Sequence, residues 1–417
     1  MSDRQPSSQI SLFDVQAEYM RHGDRAMDNE TLYERLGNSL GLSNAEMKRR
    51  EPIGEKGESA NLFTRRIRWH QQTLKSAGIL ERIETTRGMW RLAGNANTEL
   101  KENLGKVSVV AFSTQLGAAI WGLCQPTFEN LDVPITLCLT SPPYLLRKAR
   151  AYGNIRNEDA YIDFICNSLE PVVRALRPGG SICLNVSNDC FLQGSPARSM
   201  YRERLMLALH DRLGLYKADE LIWVNPNKPP GPMQWSSKTR QQLNTGYEPI
   251  YWLTNDPSAL LSDNRRVLQP HTEAHMAYLQ SGRRPDRVGS DGAYRHTANS
   301  YKNITPGRIP RNVLNFSSNC GSQRQYKRLA RDHGLPAHGA PMPLELAKFL
   351  IELMTRPGEL VVDVFAGSNT TGLAAEILGR PWLSTESMYE YALGSGFRFS
   401  DCNGFLLNQH LYQAMAA

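Results

Sequence analysis

The 417-residue chain has no long apolar run. Nowhere does it reach the roughly 20 consecutive apolar residues that a membrane helix needs, so no membrane association is expected. Its opening, MSDRQPSSQISLFD, lacks the apolar core of a secretory leader. The seven cysteines, at 124, 138, 166, 183, 190, 320 and 402, include no CxxC pair. This disfavours a disulfide framework and points to a reducing cytoplasm. The nine histidines show no metal-ligand spacing, and His271 with His275 lacks a third ligand nearby. No metal is expected. A strong charge of one sign is also missing, since 48 Lys and Arg face 41 Asp and Glu for a net +7. With 41% hydrophobic and 21% charged residues, disorder is excluded for most of the chain. The length implies two or three domains.

The distribution of charge says more than its sum. Between Arg265 and Arg331 stand thirteen Lys and Arg against three acids, Glu273, Asp286 and Asp291. That segment carries +10 and leaves the rest of the chain at −3.

Along the chain, residues 1–27 read as a flexible tail with one short helix. From 28 to 95 a compact unit is expected. Thr31–Leu40 is helix-like, with Asp28 or Asn29 as cap. Asn61–Ala77 is a stronger helix, in which Phe63, Ile67, His70 and Leu74 share a face and Gly78 ends it. ILERIETTRGMWRLA then reads as a hairpin around Thr85–Gly88. Helices followed by a hairpin make a winged helix. Residues 94–106 form a polar linker. Beyond it strands and helices alternate: ITLCLT (135–140), a helix over Tyr161–Leu176, strands at Ser181–Val186, Leu221–Val224 and Glu248–Leu253, a helix over Leu344–Met354, then LVVDVF, TTGLAAEILG and PWLSTE. This order implies an α/β fold with a mostly parallel sheet.

Two motifs carry chemistry. In the first, Asp363-Val364-Phe365-Ala366-Gly367-Ser368-Asn369-Thr370-Thr371-Gly372 leaves a buried strand and enters a helix. It presents free backbone N–H groups to a ligand. Asn369 stands where a left-handed backbone is expected, which Asn tolerates better than most residues. Glu386 ends the following strand, 23 residues after Asp363, where an acid can bind the ribose hydroxyls of a nucleoside cofactor. Neither GxGxxG nor a P-loop is present, and on its own such a turn is as often structural as cofactor-binding. The second motif is Thr140-Ser141-Pro142-Pro143-Tyr144, at the end of ITLCLT. Two prolines stiffen the turn and donate no N–H. A Ser hydroxyl, the Pro142 carbonyl and a Tyr ring then suit the exocyclic amine of a base, with two N–H groups to satisfy and a flat ring to stack. On its own this string could also be a strand-ending turn.

Taken together and in this order, TSPPY and FAGSNTTG resemble the β-class amino-methyltransferases of DNA. The blocks YGNIRNEDAYIDF, LRPGGSICLNVSN, LIWVNPNKPPGPMQW, GYEPIYWL and AHGAPMPLELAKFLI resemble the family's intervening blocks, over about residues 106–399. The Ser form of the motif is typical of N4-cytosine methylation in restriction–modification systems. The resemblance implies a Rossmann-like S-adenosylmethionine-dependent sheet with helices on both faces, plus a target-recognition insert. Its parts are a catalytic half (96–255), a recognition region (256–335) and a cofactor half (336–417). It casts Ser141, Pro142, Pro143 and Tyr144 as catalytic. Thr140, Asp363, Phe365, Ala366, Gly367, Ser368, Asn369, Thr370, Glu386, His338 and Pro343 are cast around the cofactor. Arg283, Arg284, Arg287, Arg295, Lys302 and Arg308 in the basic segment are cast on DNA. One departure is visible. Relatives often carry Gly-Asp before the catalytic strand, where the Asp touches the cofactor's adenine, whereas AFSTQL stands here. The N-terminal unit is similar to the winged-helix domain of Mrr-type restriction endonucleases, and Arg65 and Arg68 on its strong helix are further DNA candidates. A protein-contact role for that unit stays open.

The partner implied is double-stranded DNA, with a homodimer and a cognate restriction endonuclease as further partners, in a bacterial cytoplasm close to the nucleoid. Three rival readings stay open: N6-adenine methylation, a restriction nuclease, and a DNA-binding protein with a non-catalytic methyltransferase fold. The nuclease reading is weakened by the lack of a PD…(D/E)xK pattern.

Overall fold

The computed structural model describes residues 15, 18–19, 22, 25–53, 58–76, 80–83, 86, 88–92, 108–129, 131–144, 157–281, 287–288, 295–296, 305–409 and 411. The N-terminal unit runs β1 (Met27–Asp28), α1 (Asn29–Ser39), α2 (Asn44–Lys48), β2 (Arg50–Ile53), β3 (Glu58–Asn61), α3 (Leu62–Ser76), β4 (Leu80–Arg82) and β5 (Met89–Leu92). Asp28 caps α1 by accepting the Thr31 N–H at 2.9 Å. α3 buries Ile67, His70 and Leu74 along the expected face, against Leu32 and Leu36 of α1. β4 and β5 pair antiparallel and β1 adds to β5. Thr85 and Arg87 of the hairpin tip, and the linker 94–106, lie outside the described residues.

The tail expected over 1–27 needs a correction. Val15 and Tyr19 are helical and fully buried, and Tyr19 Oη accepts from Gln71 Nε2 at 2.8 Å. Two apolar residues four apart meet one helix face, yet they are too few to form a pattern by themselves.

The larger unit contains, in order, β6 (Val109–Ser113), β7 (Gly117–Trp121), α4 (Cys124–Phe128), β8 (Ile135–Thr140), α5 (Glu158–Ala175), β9 (Leu176–Asn185), α6 (Tyr201–Leu213), β10 (Tyr216–Val224), β11 (Tyr247–Thr254), α7 (Glu273–Ser281), β12 (Arg287–Val288), β13 (Arg295–His296), β14 (Val313–Asn315), α8 (Gly321–Asp332), α9 (Leu344–Met354), β15 (Leu360–Asp363), α10 (Thr370–Ile377), β16 (Trp382–Glu386), α11 (Tyr389–Gly396) and β17 (Leu406–Leu407). Among the described residues ten strands form one sheet, in the order β14-β10-β11-β9-β8-β15-β16-β7-β6-β17. From β9 to β7 the pairing is parallel throughout, and antiparallel pairs flank it on both sides. β8 is buried at all six positions and β15 at all four, as central parallel strands require.

The chain leaves β8 through α5 towards β9, and leaves β15 through α10 towards β16 on the other side. The order of strand addition therefore reverses between β8 and β15, and the crevice at their carboxyl ends is where open α/β sheets hold ligands.

The basic region 256–335 is divided. β14 pairs with β10, and α8 buries Gln323, Tyr326 and Ala330 in the main body. Arg266 donates to the Leu261 and Leu353 carbonyls, and Arg265 pairs with Asp263 at 2.7 Å. Arg324, Lys327, Arg328 and Arg331 form the exposed face of α8. The region is thus partly scaffold, because its apolar residues are spaced too widely to read as core in one dimension.

Trp382 shows how the β16 side of the sheet is locked. It is 1% exposed, packs on Phe112 and Phe399, and its indole N–H donates to Glu376 at 2.6 Å. Trp382→Ala is expected to cost about 3–5 kcal/mol, seen as a lower urea midpoint for loss of near-ultraviolet ellipticity.

Candidate active site

Both motifs end central strands, so the sheet itself brings them together. Thr140 at the end of β8 donates to Asp363 Oδ1 at the end of β15 at 2.7 Å, across 223 residues of sequence. The Phe365 N–H donates to the same oxygen at 3.1 Å. Burial pushes the Asp363 carboxyl up to about 6, although both bonds favour its ionised form.

Beyond these ends lies a cavity of about 250 Å³. Its wall includes Ser141, Pro142, Pro143 and Tyr144 from the first motif, and Asp363, Phe365, Ala366, Gly367, Ser368 and Thr370 from the second. Glu386, His338, Ala340, Pro341, Met342, Phe164 and Tyr391 complete much of it. The two motifs open into the same space.

Gly367 has φ +51, and a Cβ there would meet the His338 ring at 3.2 Å. Only glycine allows both the backbone angle and the close approach. Asn369 takes the left-handed conformation as expected, at φ 51 and ψ 46, and its side chain caps α10 by accepting the Gly372 N–H at 3.2 Å. Glu386 accepts the Gly367 N–H on one oxygen and the Met388 N–H on the other, each at 2.7 Å. Burial raises its carboxyl to about 7 against those bonds.

Three expected site residues stand behind the wall. Thr140 holds Asp363, Asn369 caps the helix, and Pro343 precedes α9 as its cap position. Their positions support the site without forming its surface. β7 ends beside β16, the Gly122 N–H donates to the Glu386 carbonyl at 2.9 Å, and residues 122–125 line the cavity. Cys124 is 5% exposed in that wall and burial raises its thiol.

A polar cluster borders the Ser141 end. Ser141 Oγ donates towards Tyr144 Oη at 3.5 Å and towards Asn185 Oδ1 at 3.4 Å. Tyr144 Oη donates to Glu248 Oε2 at 3.1 Å. Lys228 Nζ bridges Glu248 at 3.1 Å and Asp189 at 3.3 Å. Burial, then the Glu248 charge, hold the Tyr144 phenol well above its ordinary range, so it remains a donor. Asn185, Glu248 and Lys228 were missed from sequence. Their only signal was a polar residue at the end of an otherwise apolar strand or in a proline-rich loop.

Of the DNA candidates, Arg65 and Arg68 are exposed on α3, with Arg68 Nε on Tyr33 Oη at 3.0 Å. Arg308 is exposed and donates to the Pro270 carbonyl at 3.1 Å. Arg283, Arg284 and Lys302, and the side chains of Arg287 and Arg295, lie outside the described residues. Among the described residues no group of three or more His, Cys, Asp or Glu could hold a metal ion, and no helix is long and apolar enough to cross a membrane.

The sequence profile of the DNA methylases that modify N6 or N4 amines matches residues 135–394. The chain belongs to this family. The Mrr N-terminal domain profile matches residues 17–102, which begins well inside the expected tail. The chain is 32% identical to the type II methyltransferase M.PvuII of Proteus hauseri over 305 residues, covering 72% of this chain and 88% of that one. It is 22% identical over 278 residues to the DNA adenine methyltransferase YhdJ of Escherichia coli K12, covering 66% and 78%. The solved PvuII DNA methyltransferase, titled cytosine-N4-specific, superimposes with a TM-score of 0.55 at 30% identity, over 73% of this chain and 94% of that one. The protein is thus a DNA methyltransferase with an Mrr-type N-terminal domain, and the family's cofactor is S-adenosylmethionine.

The cavity fits that cofactor. Glu386 is an acceptor already oriented by two backbone N–H groups, so ribose hydroxyls can use its remaining lone pairs. Ribose hydroxyls donate best to the ionised carboxylate. Cofactor affinity measured by calorimetry should therefore rise with pH through about 7 and level off above it. The same raised carboxyl binds a proton more readily folded than unfolded. Its contribution makes stability fall as pH rises from the ordinary carboxylate range to about 7. Glu386→Gln should flatten both trends.

Proposed function

We propose that this enzyme transfers a methyl group to the N4 amine of a cytosine that is flipped out of duplex DNA. The observation that carries this reading is the shared cavity. It puts the Ser141–Tyr144 turn and the Phe365–Ser368 loop on adjacent strand ends joined by Thr140 and Asp363. N4-cytosine is favoured over N6-adenine by the serine of the motif and by the 32% identity to M.PvuII, whose solved structure is titled cytosine-N4-specific.

A base within the duplex cannot enter such a crevice. Flipping costs a few kcal/mol, which phosphate contacts by basic side chains offset. In this reading Tyr144 stacks on the flipped ring, and Ser141 Oγ with the Pro142 carbonyl accepts the two amine N–H bonds. That holds the nitrogen as it pyramidalises. When bound, S-adenosylmethionine supplies a sulfonium methyl for in-line displacement. Glu386, Gly367 and His338 position it from the far end of the cavity. Catalysis is then chiefly positioning and electrostatics. Arg65, Arg68, Arg308 and the basic residues from 283 to 302 are assigned to DNA. A homodimer and a cognate endonuclease acting at the same site belong to the same proposal.

Nucleosides from unmethylated genomic DNA treated with the enzyme should contain N4-methylcytosine by mass spectrometry; N6-methyladenine instead would reverse the base assignment. Ser141→Ala should abolish methylation while leaving cofactor binding largely intact, and near wild-type turnover would overturn the assignment of the turn. Neutralising Arg283, Arg284 and Arg287 together should reduce the salt dependence of log K by roughly three units of slope; an unchanged slope would remove them from the interface.

A further inference from the structure

Removal of the proton from the methylated amine is not explained by the two motifs alone. Once its lone pair has bonded to the methyl carbon, the nitrogen carries a positive charge and must lose a proton. Ser141 Oγ is a hydroxyl and cannot keep it. Asn185 is 2% exposed, with Oδ1 3.4 Å from both Ser141 Oγ and Tyr144 Oη, but an amide does not take a proton. Asp363 is engaged by Thr140 and Phe365. Glu386 lies at the other end of the cavity, on the backbone of Gly367 and Met388.

The polar cluster leads to one further carboxylate. Ser141 Oγ donates to Tyr144 Oη, and Tyr144 Oη donates to Glu248 Oε2. Both bonds point the same way, from the reacting end to the acid. The 3.5 Å step is long, as catalytic hydrogen bonds often are before substrate binds. Glu248 sits at the start of β11, whose neighbour β9 carries Asn185, so the sheet sets these groups side by side. The charged groups facing it are Lys228 at 3.1 Å and, through Lys228, Asp189 with Arg198 at 3.8 Å. Lys228 Nζ donates to the other carboxylate oxygen, Oε1, and so leaves Oε2 to Tyr144.

We propose that Glu248 is the terminal acceptor of the proton released by methyl transfer, reached through Ser141 and Tyr144. This rests on the methyltransferase reading of the Ser141–Tyr144 turn. The amine lone pair forms the nitrogen–carbon bond, the carbon–sulfur bond breaks, and its electron pair stays on sulfur. The nitrogen's proton passes to Ser141 Oγ, the serine proton to Tyr144 Oη, and the phenol proton to Glu248, which becomes a neutral acid and later releases it to water. Glu248 acts through Tyr144 and is a positioning residue in that sense.

The test compares wild type with Glu248→Gln, Glu248→Asp and Tyr144→Phe on unmethylated genomic DNA at saturating S-adenosylmethionine. Gln keeps an acceptor for Tyr144 but no basicity, and Phe keeps the ring but breaks the relay. Single-turnover rates should fall about 100-fold in Glu248→Gln and Tyr144→Phe. Dissociation constants for DNA and cofactor should stay near wild type, and the acid limb of the pH–rate profile should vanish. Glu248→Asp should restore part of the rate and of that limb. The double variant should be no slower than either single one, because both remove the same path. The proposal is overturned if Glu248→Gln keeps the wild-type rate and acid limb, if the two losses multiply, or if the loss lies wholly in DNA affinity. Wild type that methylates no DNA would instead overturn the functional reading.

Discussion

A single hydrogen bond marks the constraint on which this structure depends. Thr140 and Asp363 end two adjacent central strands and bond at 2.7 Å, although 223 residues separate them. The Ser141–Tyr144 turn starts one residue after Thr140, and the Phe365–Ser368 loop starts two residues after Asp363. Whatever lies between them in sequence, the register of β8 on β15 decides how the two loops face each other. The two motifs can therefore stand far apart in the chain, because the site needs adjacent strand ends and not a given order along the sequence. The same register explains why one cavity serves both motifs.

Burying Asp363 disfavours its charge, and the bonds from Thr140 and Phe365 offset only part of that cost. Glu386 repeats the arrangement with two backbone donors. Glu248 is held differently, between a phenol and an ammonium. Two acids thus line the crevice and a third stands behind Tyr144, in three electrostatic settings. Two raised carboxyls, Asp363 and Glu386, flank the Phe365–Ser368 loop. The third, Glu248, has the Lys228 ammonium beside it, behind the Ser141–Tyr144 turn. The difference between them comes from the surroundings alone, since the three side chains have the same acidic group.

Much of this was legible in one dimension. Ile67, His70 and Leu74 share the buried face that helical spacing assigned them. Asn369 has the left-handed backbone expected of it, and Leu344–Met354 is the helix its pattern described. Local rules suffice there, because each residue's role depends on neighbours within a turn or a strand. Val15 and Tyr19 were misplaced in a tail, since two residues give no period. β14 and α8 were taken as recognition region because their apolar positions become core only against β10 and α11. The cap role of Asn369 and the support role of Thr140 put them behind the cavity wall, a distinction of side-chain direction that residue type does not carry.

The chain's one-dimensional order determined the fold class, the two motifs, and the charge that gathers between Arg265 and Arg331. Those features follow from periodicity, strand-end glycines and prolines, and simple counting. Only the tertiary structure decided which residues line the crevice and which stand behind it. Glu248 lies 104 residues from Tyr144 and Lys228 another 20 before Glu248, so no spacing relates them. They meet because β11 runs antiparallel to β9 and returns its first residues to the ends of the parallel strands. Strand pairing is a long-range choice of register, and the chemistry at a strand end is settled by whichever strand comes to lie next to it.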